Sequence, residues 1–318
     1  MAIGKIAVIG LGMMGTPISA LLLKAGYDVT GYDIVKKAMA GLVPQGMKPA
    51  ASPGAAVVGA ELIILSLPNW KVLQEVVTGK GGLIGAVRRG QIIADMSTSP
   101  PEGTIAMAKS MAAKGVDWMD IPISGSSAQA RVGNMVFMAG GRKSVFNRVK
   151  PVLDRIGKKS VYAGRHGDGA MLKLVVNLIL YLNEAAAVEG LALGMKAGLD
   201  SNVMLDVITT GAASSDLIMA RGGDMLAGRF DPKGQVSVAV KDMGLIVERA
   251  RQLGVMLPLG GLYQQILLQA QYRGWDREDA TAVLKIYEQW AGITRPDRQR
   301  APVSGKAPAG SRAHRRRG

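Results

Sequence analysis

The chain has 318 residues, enough for two domains with separate cores, yet it contains no cysteine and only two histidines, His166 and His314. That excludes disulfides, thiolate nucleophiles and Cys-ligated metals, leaves too few histidines for a histidine-built metal site or triad, and suits a reducing, cytoplasmic setting. The net charge of +15 is uneven: residues 295–318 hold eight Lys/Arg against one Asp, which is +7, and the remaining +8 makes a mildly basic body suited to small anionic ligands.

In chain order, KIAVIG (5–10) reads as a short buried strand, followed by glycines and a helical pattern over 14–25. DVTGYD (28–33), ELIILSLP (61–68) and QIIADMS (91–97) read as further strands, with a helix expected over 102–114. VDWMDIPIS (116–124) and MVFMAGG (135–141) continue the alternation, which predicts a mostly parallel, doubly wound α/β sheet. After Gly164 the texture changes. A long helix is expected over 170–194, with others near 201–210, 214–226, 237–253, 260–273 and 276–291 and no clear strand between them. The expected organisation is a Rossmann-type domain over 1–163, an all-helical domain over 164–294 and a disordered basic tail over 295–318, rich in Pro, Gly, Ser and Arg. No uncharged run reaches the length of about 18 apolar residues that marks a membrane span, and neither a membrane nor nucleic acid is an expected partner.

GLGMMG (10–15) fits G-x-G-x-x-G between a strand and a helix, the context that motif needs to bind a dinucleotide. Gly10 permits the tight turn, Gly12 lets backbone approach a pyrophosphate, and Gly15 packs the helix on the sheet, with Leu11, Met13 and Met14 completing the turn. Asp33 ends the second strand, where an acid hydrogen-bonds a ribose 2′-hydroxyl and repels a 2′-phosphate. No Arg follows at 34 or 35, so NAD is expected over NADP. Leu67 and Pro68, in SLPN (66–69), lie at the carboxyl edge where such sheets bind ligands, although a plain strand-ending turn would read the same way.

In GDGAMLKLVVN (167–177), Lys173 and Asn177 stand four apart in an otherwise apolar helical run, hence on one face. Burying an ammonium costs several kcal/mol, by about the measure of other buried ions, unless something answers its charge. It either snorkels to water or serves chemistry, and Met171, Leu172, Leu174 and Val175 around it weigh against a surface face. Oxidation of a C–OH by NAD needs a base for the hydroxyl proton. A desolvated Lys173 near a second cation such as Lys241 would have its pKa lowered toward that task. Asn177 could orient substrate or ammonium without adding charge, or be a core amide, and Lys241 could pair with Asp242 at the surface. His166 reads as a loop residue, and Asp95 and Asp120 as turn-builders.

ADMSTSPP (94–101), DIPISGSSAQARVGNMVFMAGG (120–141), the Lys173/Asn177 pair and VAVKDMG (238–244) complete an ordered set with GLGMMG. Over roughly residues 3–294 that set resembles the β-hydroxyacid dehydrogenase family, which includes 3-hydroxyisobutyrate dehydrogenase and tartronate semialdehyde reductase. The resemblance implies a Rossmann-type domain followed by an all-α domain of the 6-phosphogluconate dehydrogenase type, and NAD-linked oxidation of a small 3-hydroxy acid or, in reverse, reduction of a semialdehyde. It places Thr98, in the pattern of Asp95, Ser97 and Pro101, beside the nicotinamide. It makes Ser124 and Gly125 the substrate-carboxylate site, with Ser126 next to them, Lys173 the catalytic residue with Asn177 as its partner, and Lys241 a contact of cofactor and substrate. No metal is implied. A homodimer or homotetramer is.

Three departures bear on the substrate. Ser126 and Gln129 stand where the family favours glycine, and Asn134 where it favours threonine, which points away from the simplest branched acid toward one with more polar groups. Rival expectations are an imine or other carbonyl reductase on the same fold, which Lys173 opposes, and a non-catalytic cofactor-binding scaffold or nucleic-acid module, which the basic tail suggests and the Lys173/Asn177 pair opposes.

Overall fold

A computed structural model describes residues 3–295. The basic tail expected from 295 onward lies outside the described residues except for Arg295, whose guanidinium hydrogen-bonds Glu288 at 2.7 Å and the carbonyl of Met225 at 2.7 Å.

The first half is a nine-stranded sheet. Strands β1 (Lys5–Ile9), β2 (Asp28–Tyr32), β3 (Lys48–Pro49), β4 (Leu62–Leu65), β5 (Ile92–Asp95) and β6 (Asp117–Asp120) lie parallel in the order β3-β2-β1-β4-β5-β6. This is the doubly wound dinucleotide-binding order, whose reversal between β1 and β4 opens a crevice at the strands' carboxyl ends. Beyond β6 come β7 (Ile123–Ser124), β8 (Val136–Gly140) and β9 (Lys159–Gly164); β8 runs antiparallel to β6 and β7, and β9 parallel to β8.

The central strands are apolar throughout because helices cover both faces. Ile6, Val8, Leu62, Ile64, Ile92 and Ala94 face one core with Ile18 and Leu22 of α1 (Gly15–Lys24). Ala7, Ile9, Ile63, Leu65 and Ile93 face the other. Short helices α2 (Lys36–Ala40) and α3 (Pro53–Ala56) join the early strands, and α4 (Trp70–Thr78), α5 (Leu83–Ala86) and α6 (Pro101–Ala112) cover the second face. The turn helix α7 (Ser127–Arg131) follows β7, and α8 (Lys143–Ile156) packs Val145, Phe146, Val149, Val152, Leu153 and Ile156 on the first face.

A single helix, α9 (Asp168–Lys196), leaves the sheet and forms the spine of the second half. Around it pack α10 (Ser201–Thr210), α11 (Asp216–Leu226), α12 (Val236–Leu253), α13 (Pro258–Tyr272) and α14 (Leu284–Ala291). By length and composition α9 could cross a membrane, although no uncharged apolar run in it is long enough. Tyr181, Glu184 and Val188 of α9 are buried in the helical core, whereas Val175, Ile179 and Leu180 are exposed.

Candidate active site

The glycine turn is built by close contact. A Cβ on Gly10, where φ is 91°, would lie 2.2 Å from the carbonyl oxygen of Ser66, and one on Gly15 would lie 1.8 Å from that of Gly10. Gly12 faces open space, with nothing within 4 Å of a Cβ built there. The start of α1 carries no side-chain cap; Thr16 N–H donates to the Gly12 carbonyl at 3.1 Å and Pro17 has no N–H, so the backbone N–H groups left for a phosphate are those of Met13, Met14 and Gly15. Leu11 is buried and donates its N–H to Asp33 Oδ2 at 2.6 Å, while Val35 N–H donates to Asp33 Oδ1 at 2.7 Å. Asp33 thus joins the end of β2 to the turn. Met13 is exposed beside Gly12, and Met14 precedes the helix. An uncovered glycine, an uncapped helix start and an acid at the end of β2 fit a dinucleotide.

The second wall comes from β4 and β5. Leu67 N–H donates to Ser97 Oγ at 3.0 Å, Ser97 N–H to Asp95 Oδ1 at 2.9 Å, and Ser99 Oγ to Asp95 Oδ2 at 2.7 Å. Asp95 is therefore a turn-builder, as its position suggests; burial pushes its carboxyl up to about 6 against the pull of the serines. Thr98 is left half-buried between two tied serines, and exposed Pro68 leads into Asn69, which caps α4 by accepting from Val72 N–H at 2.9 Å.

At the end of β6 the chain passes through Pro122 into Ser124 and Gly125, both half-buried, with Gly125 at φ 147°. Ser126 and Gln129 form a reciprocal cap on α7: Ser126 N–H donates to Gln129 Oε1 at 2.7 Å and Gln129 N–H to Ser126 Oγ at 3.3 Å. The two departures from glycine are thus a matched pair. Ser126 has its backbone N–H occupied and offers only its hydroxyl proton to a substrate.

Lys173 and Asn177 project from α9 toward α12. Asn177 Nδ2 donates to Asp242 Oδ2 at 2.8 Å, Tyr181 Oη donates to the same oxygen at 3.2 Å, and Lys241 Nζ pairs with Asp242 Oδ1 at 2.9 Å. Asp242 and Asn177 are buried and Lys241 half-buried. The Lys241–Asp242 pair is therefore an edge of the site and not a surface ion pair. Among the described residues no side chain hydrogen-bonds or ion-pairs with Lys173. Burial moves its ammonium down to about 8, with Asp242 opposing the shift and Lys241 adding to it. Asn177 spends its amide nitrogen on Asp242, which leaves Oδ1 as an acceptor one turn from Lys173.

Asp120 differs from the turn-building expectation. Its carboxylate reaches the other half of the chain, accepting from Gly167 N–H at 3.0 Å and Ala170 N–H at 2.8 Å. His166, in the loop before α9, places Nε2 3.0 Å from the Trp118 carbonyl, as befits a loop residue. Asp242, the second residue of the Lys-Asp pair in VAVKDMG, holds the site together, and Tyr181 joins it without a motif of its own. Tyr181 continues the four-residue spacing of Lys173 and Asn177 along α9, and that spacing is the one signal for it in the sequence.

Residues 5–164 match the family model described as the NAD binding domain of 6-phosphogluconate dehydrogenase, and residues 167–287 that described as NAD-binding of NADP-dependent 3-hydroxyisobutyrate dehydrogenase. The 2-(hydroxymethyl)glutarate dehydrogenase of Eubacterium barkeri is 35% identical over 291 residues, spanning 91% of this chain and 97% of that protein. The 3-sulfolactaldehyde reductase of Escherichia coli is 33% identical over 290 residues, again 91% and 97%. Among solved structures, the 3-hydroxyisobutyrate dehydrogenase from Salmonella typhimurium superposes with a TM-score of 0.83 at 29% identity, covering 89% of this chain and 99% of that one.

Proposed function

The chain belongs to the β-hydroxyacid dehydrogenase family, and from that premise we propose that it oxidises a small 3-hydroxy acid with NAD, Lys173 being the general base. The nicotinamide dinucleotide, when bound, supplies the hydride acceptor. The observation that carries the assignment is the half-buried Lys173, which has no side-chain hydrogen bond or ion pair among the described residues and whose ammonium is lowered by burial to about 8 beside residues fixed on Asp242. In oxidation the neutral amine takes the hydroxyl proton as the C–H hydride departs, leaving a carbonyl and an ammonium; in the reverse direction the ammonium returns the proton. Asp242 fixes the Asn177 amide, so that Asn177 Oδ1, one turn from Lys173, is an acceptor for the substrate hydroxyl or the ammonium once substrate is bound. Ser124 Oγ and Gly125 N–H hold the substrate carboxylate. With Lys173 protonated, as reduction requires, two cations, Lys173 and Lys241, against one carboxylate, Asp242, leave a net positive site that matches the acid's charge.

At the cofactor end, Gly10, Leu11, Gly12, Met13, Met14 and Gly15 form the pyrophosphate cradle, Leu67, Pro68 and Thr98 line the nicotinamide side, and Asp33 favours NAD over NADP through its second lone pairs. Exposed Val175, Ile179 and Leu180 on α9 support pairing of helical halves in a homodimer or homotetramer. A cytoplasmic setting completes the proposal.

The test is a panel of 2- and 3-hydroxy acids and the matching semialdehydes, assayed with NAD and NADP across pH. Oxidation needs the neutral amine, so its rate rises as pH passes through about 8; reduction needs the ammonium, so its rate falls over the same range. Two limbs of the same sign, or flat profiles, would remove Lys173 from the role, and a preference for NADP would overturn the reading of Asp33.

A further inference from the structure

We propose that Asp120 is a positioning residue that sets the distance between Lys173 and the Ser124–Gly125 turn by clamping the first turn of α9 to the end of β6. The inference rests on the role given to Lys173 above. Asp120 is the last residue of β6, and the same run of chain reaches Ser124 four residues later. Its side chain meanwhile accepts from Gly167 and Ala170, 47 and 50 residues away in sequence. Lys173 follows Ala170 by three residues, so less than one helical turn separates the clamp from the amine. One residue thus joins the strand that leads to the substrate turn and the helix that carries the base.

The contact is tighter than a helix cap needs. The N-cap position of α9 is Gly167, at φ 92° and with no side chain to cap the helix. A local serine or aspartate would satisfy the first-turn N–H groups if stability of the helix end were all that mattered. Here the cap comes from a strand in the other half. Around it the backbones touch: a Cβ on Gly169 would lie 2.5 Å from the Met138 carbonyl oxygen and 2.6 Å from that of Asp120, and one on Gly140 would lie 2.5 Å from Asp120 Oδ2. Asp120 is 1% exposed, and no lysine or arginine among the described residues pairs with it. A buried carboxylate without a paired lysine or arginine is expensive, and the N–H groups and the positive end of the helix dipole answer this one. Burial pushes its carboxyl up, while the Gly167 and Ala170 N–H groups and nearby His166 pull it down; Asp95, its neighbour on β5, is the other charge facing it.

The clamp is tested on the full chain with Asp120→Asn and Gly169→Ala, beside Lys173→Ala as control. Asn keeps the size of Asp120 but turns one acceptor into a donor facing an N–H. Ala at 169 keeps the charge and wedges a methyl into the backbone contact. In both, a displaced α9 is expected to lower kcat tenfold to about 100-fold, with the Kd for NAD within twofold of wild type. The limb of the oxidation pH profile should also move to higher pH. That shift reports Lys173 becoming less buried while Lys241 and Asp242, the charged groups facing it from α12, stay in place. A destabilised but correctly seated helix would lower Tm and leave the limb where it is, and that result overturns the proposal. So does a folded Asp120→Asn or Gly169→Ala protein with wild-type kcat and limb. If Lys173→Ala keeps its activity, the base assignment falls and the clamp with it; if it loses activity while the two clamp variants behave as wild type, only the clamp falls.

Discussion

In the sheet half the buried carboxylates Asp95 and Asp120 are answered by backbone N–H groups and a serine hydroxyl, and among the described residues neither forms an ion pair with a lysine or arginine. In the helical half Glu184 and Asp279 share one guanidinium: Arg221 Nη1 lies 2.8 Å from Asp279 Oδ1 and 3.7 Å from Glu184 Oε2, and Tyr263 Oη donates to Glu184 Oε1 at 2.7 Å. The contrast follows from how each half sets its register. Parallel strands are aligned by their ladder, so polar groups are free to collect at strand ends where ligands bind. Helices have no ladder between them, and apolar faces repeat every turn, so directional contacts from α9 to α11, α13 and the segment before α14 select one arrangement. Lys173 belongs to neither scheme: it is a half-buried cation in the helical half with no hydrogen-bond or ion-pair partner among the described residues.

That exception gives the sharpest way to break the comparison. Lys173→Met is expected to lower kcat by about 10²- to 10⁴-fold while Tm stays level or rises, since a desolvated charge is removed and no pair is broken. A variant with wild-type kcat, or with Tm lowered as for a lost salt bridge, would return Lys173 to the structural scheme. Arg221→Met should act in the opposite sense, lowering stability by about 3–5 kcal/mol in denaturant titration, because Glu184 and Asp279 are left buried together without their shared cation.

A smaller effect separates the two halves by pH. Burial raises the Glu184 carboxyl to about 7, against the opposing pull of Arg221 and Tyr263. A carboxyl whose folded pKa lies above its unfolded value binds its proton more tightly in the native state. Native stability therefore falls as pH rises from the ordinary glutamate range through about 7. Glu184→Gln, which still accepts from Tyr263, should flatten that decline by an amount on the order of 1–3 kcal/mol, read from chemical denaturation at pH 5 and pH 7.5. An unchanged slope would show that Glu184 is already ionised with Arg221 at neutral pH.

Much of the fold is legible because local pattern and tertiary outcome agree. The run IAVI after Lys5 is buried on both faces and reads as such, and GLGMMG sits between β1 and α1 as the motif requires. Helices α10 to α13 fall within about two residues of their apolar spacing. Strand β9 is harder to see: KSVYAG is half-buried over most of its length, so neither an apolar run nor clean alternation marks it. Helix α8 has apolar residues at helical spacing but carries Pro151 inside, which reads as a breaker. Arg295 reads as part of a basic tail, yet Glu288 and two carbonyls hold it, contacts that composition does not reveal.

The chain by itself marks the candidate site residues. The four-residue spacing of Lys173 and Asn177, the glycine turn and the acid at position 33 are properties of local period and local geometry, and short-range backbone physics is enough to place them. Tertiary structure alone decides what these residues do to each other. That Asp242 holds Asn177 across 65 residues depends on α12 packing against α9, and that Asp120 caps a helix 47 residues away depends on the sheet meeting α9. Hydrogen bonds are directional and act over about 3 Å, so a pairing between distant segments exists only once packing has brought them to that distance.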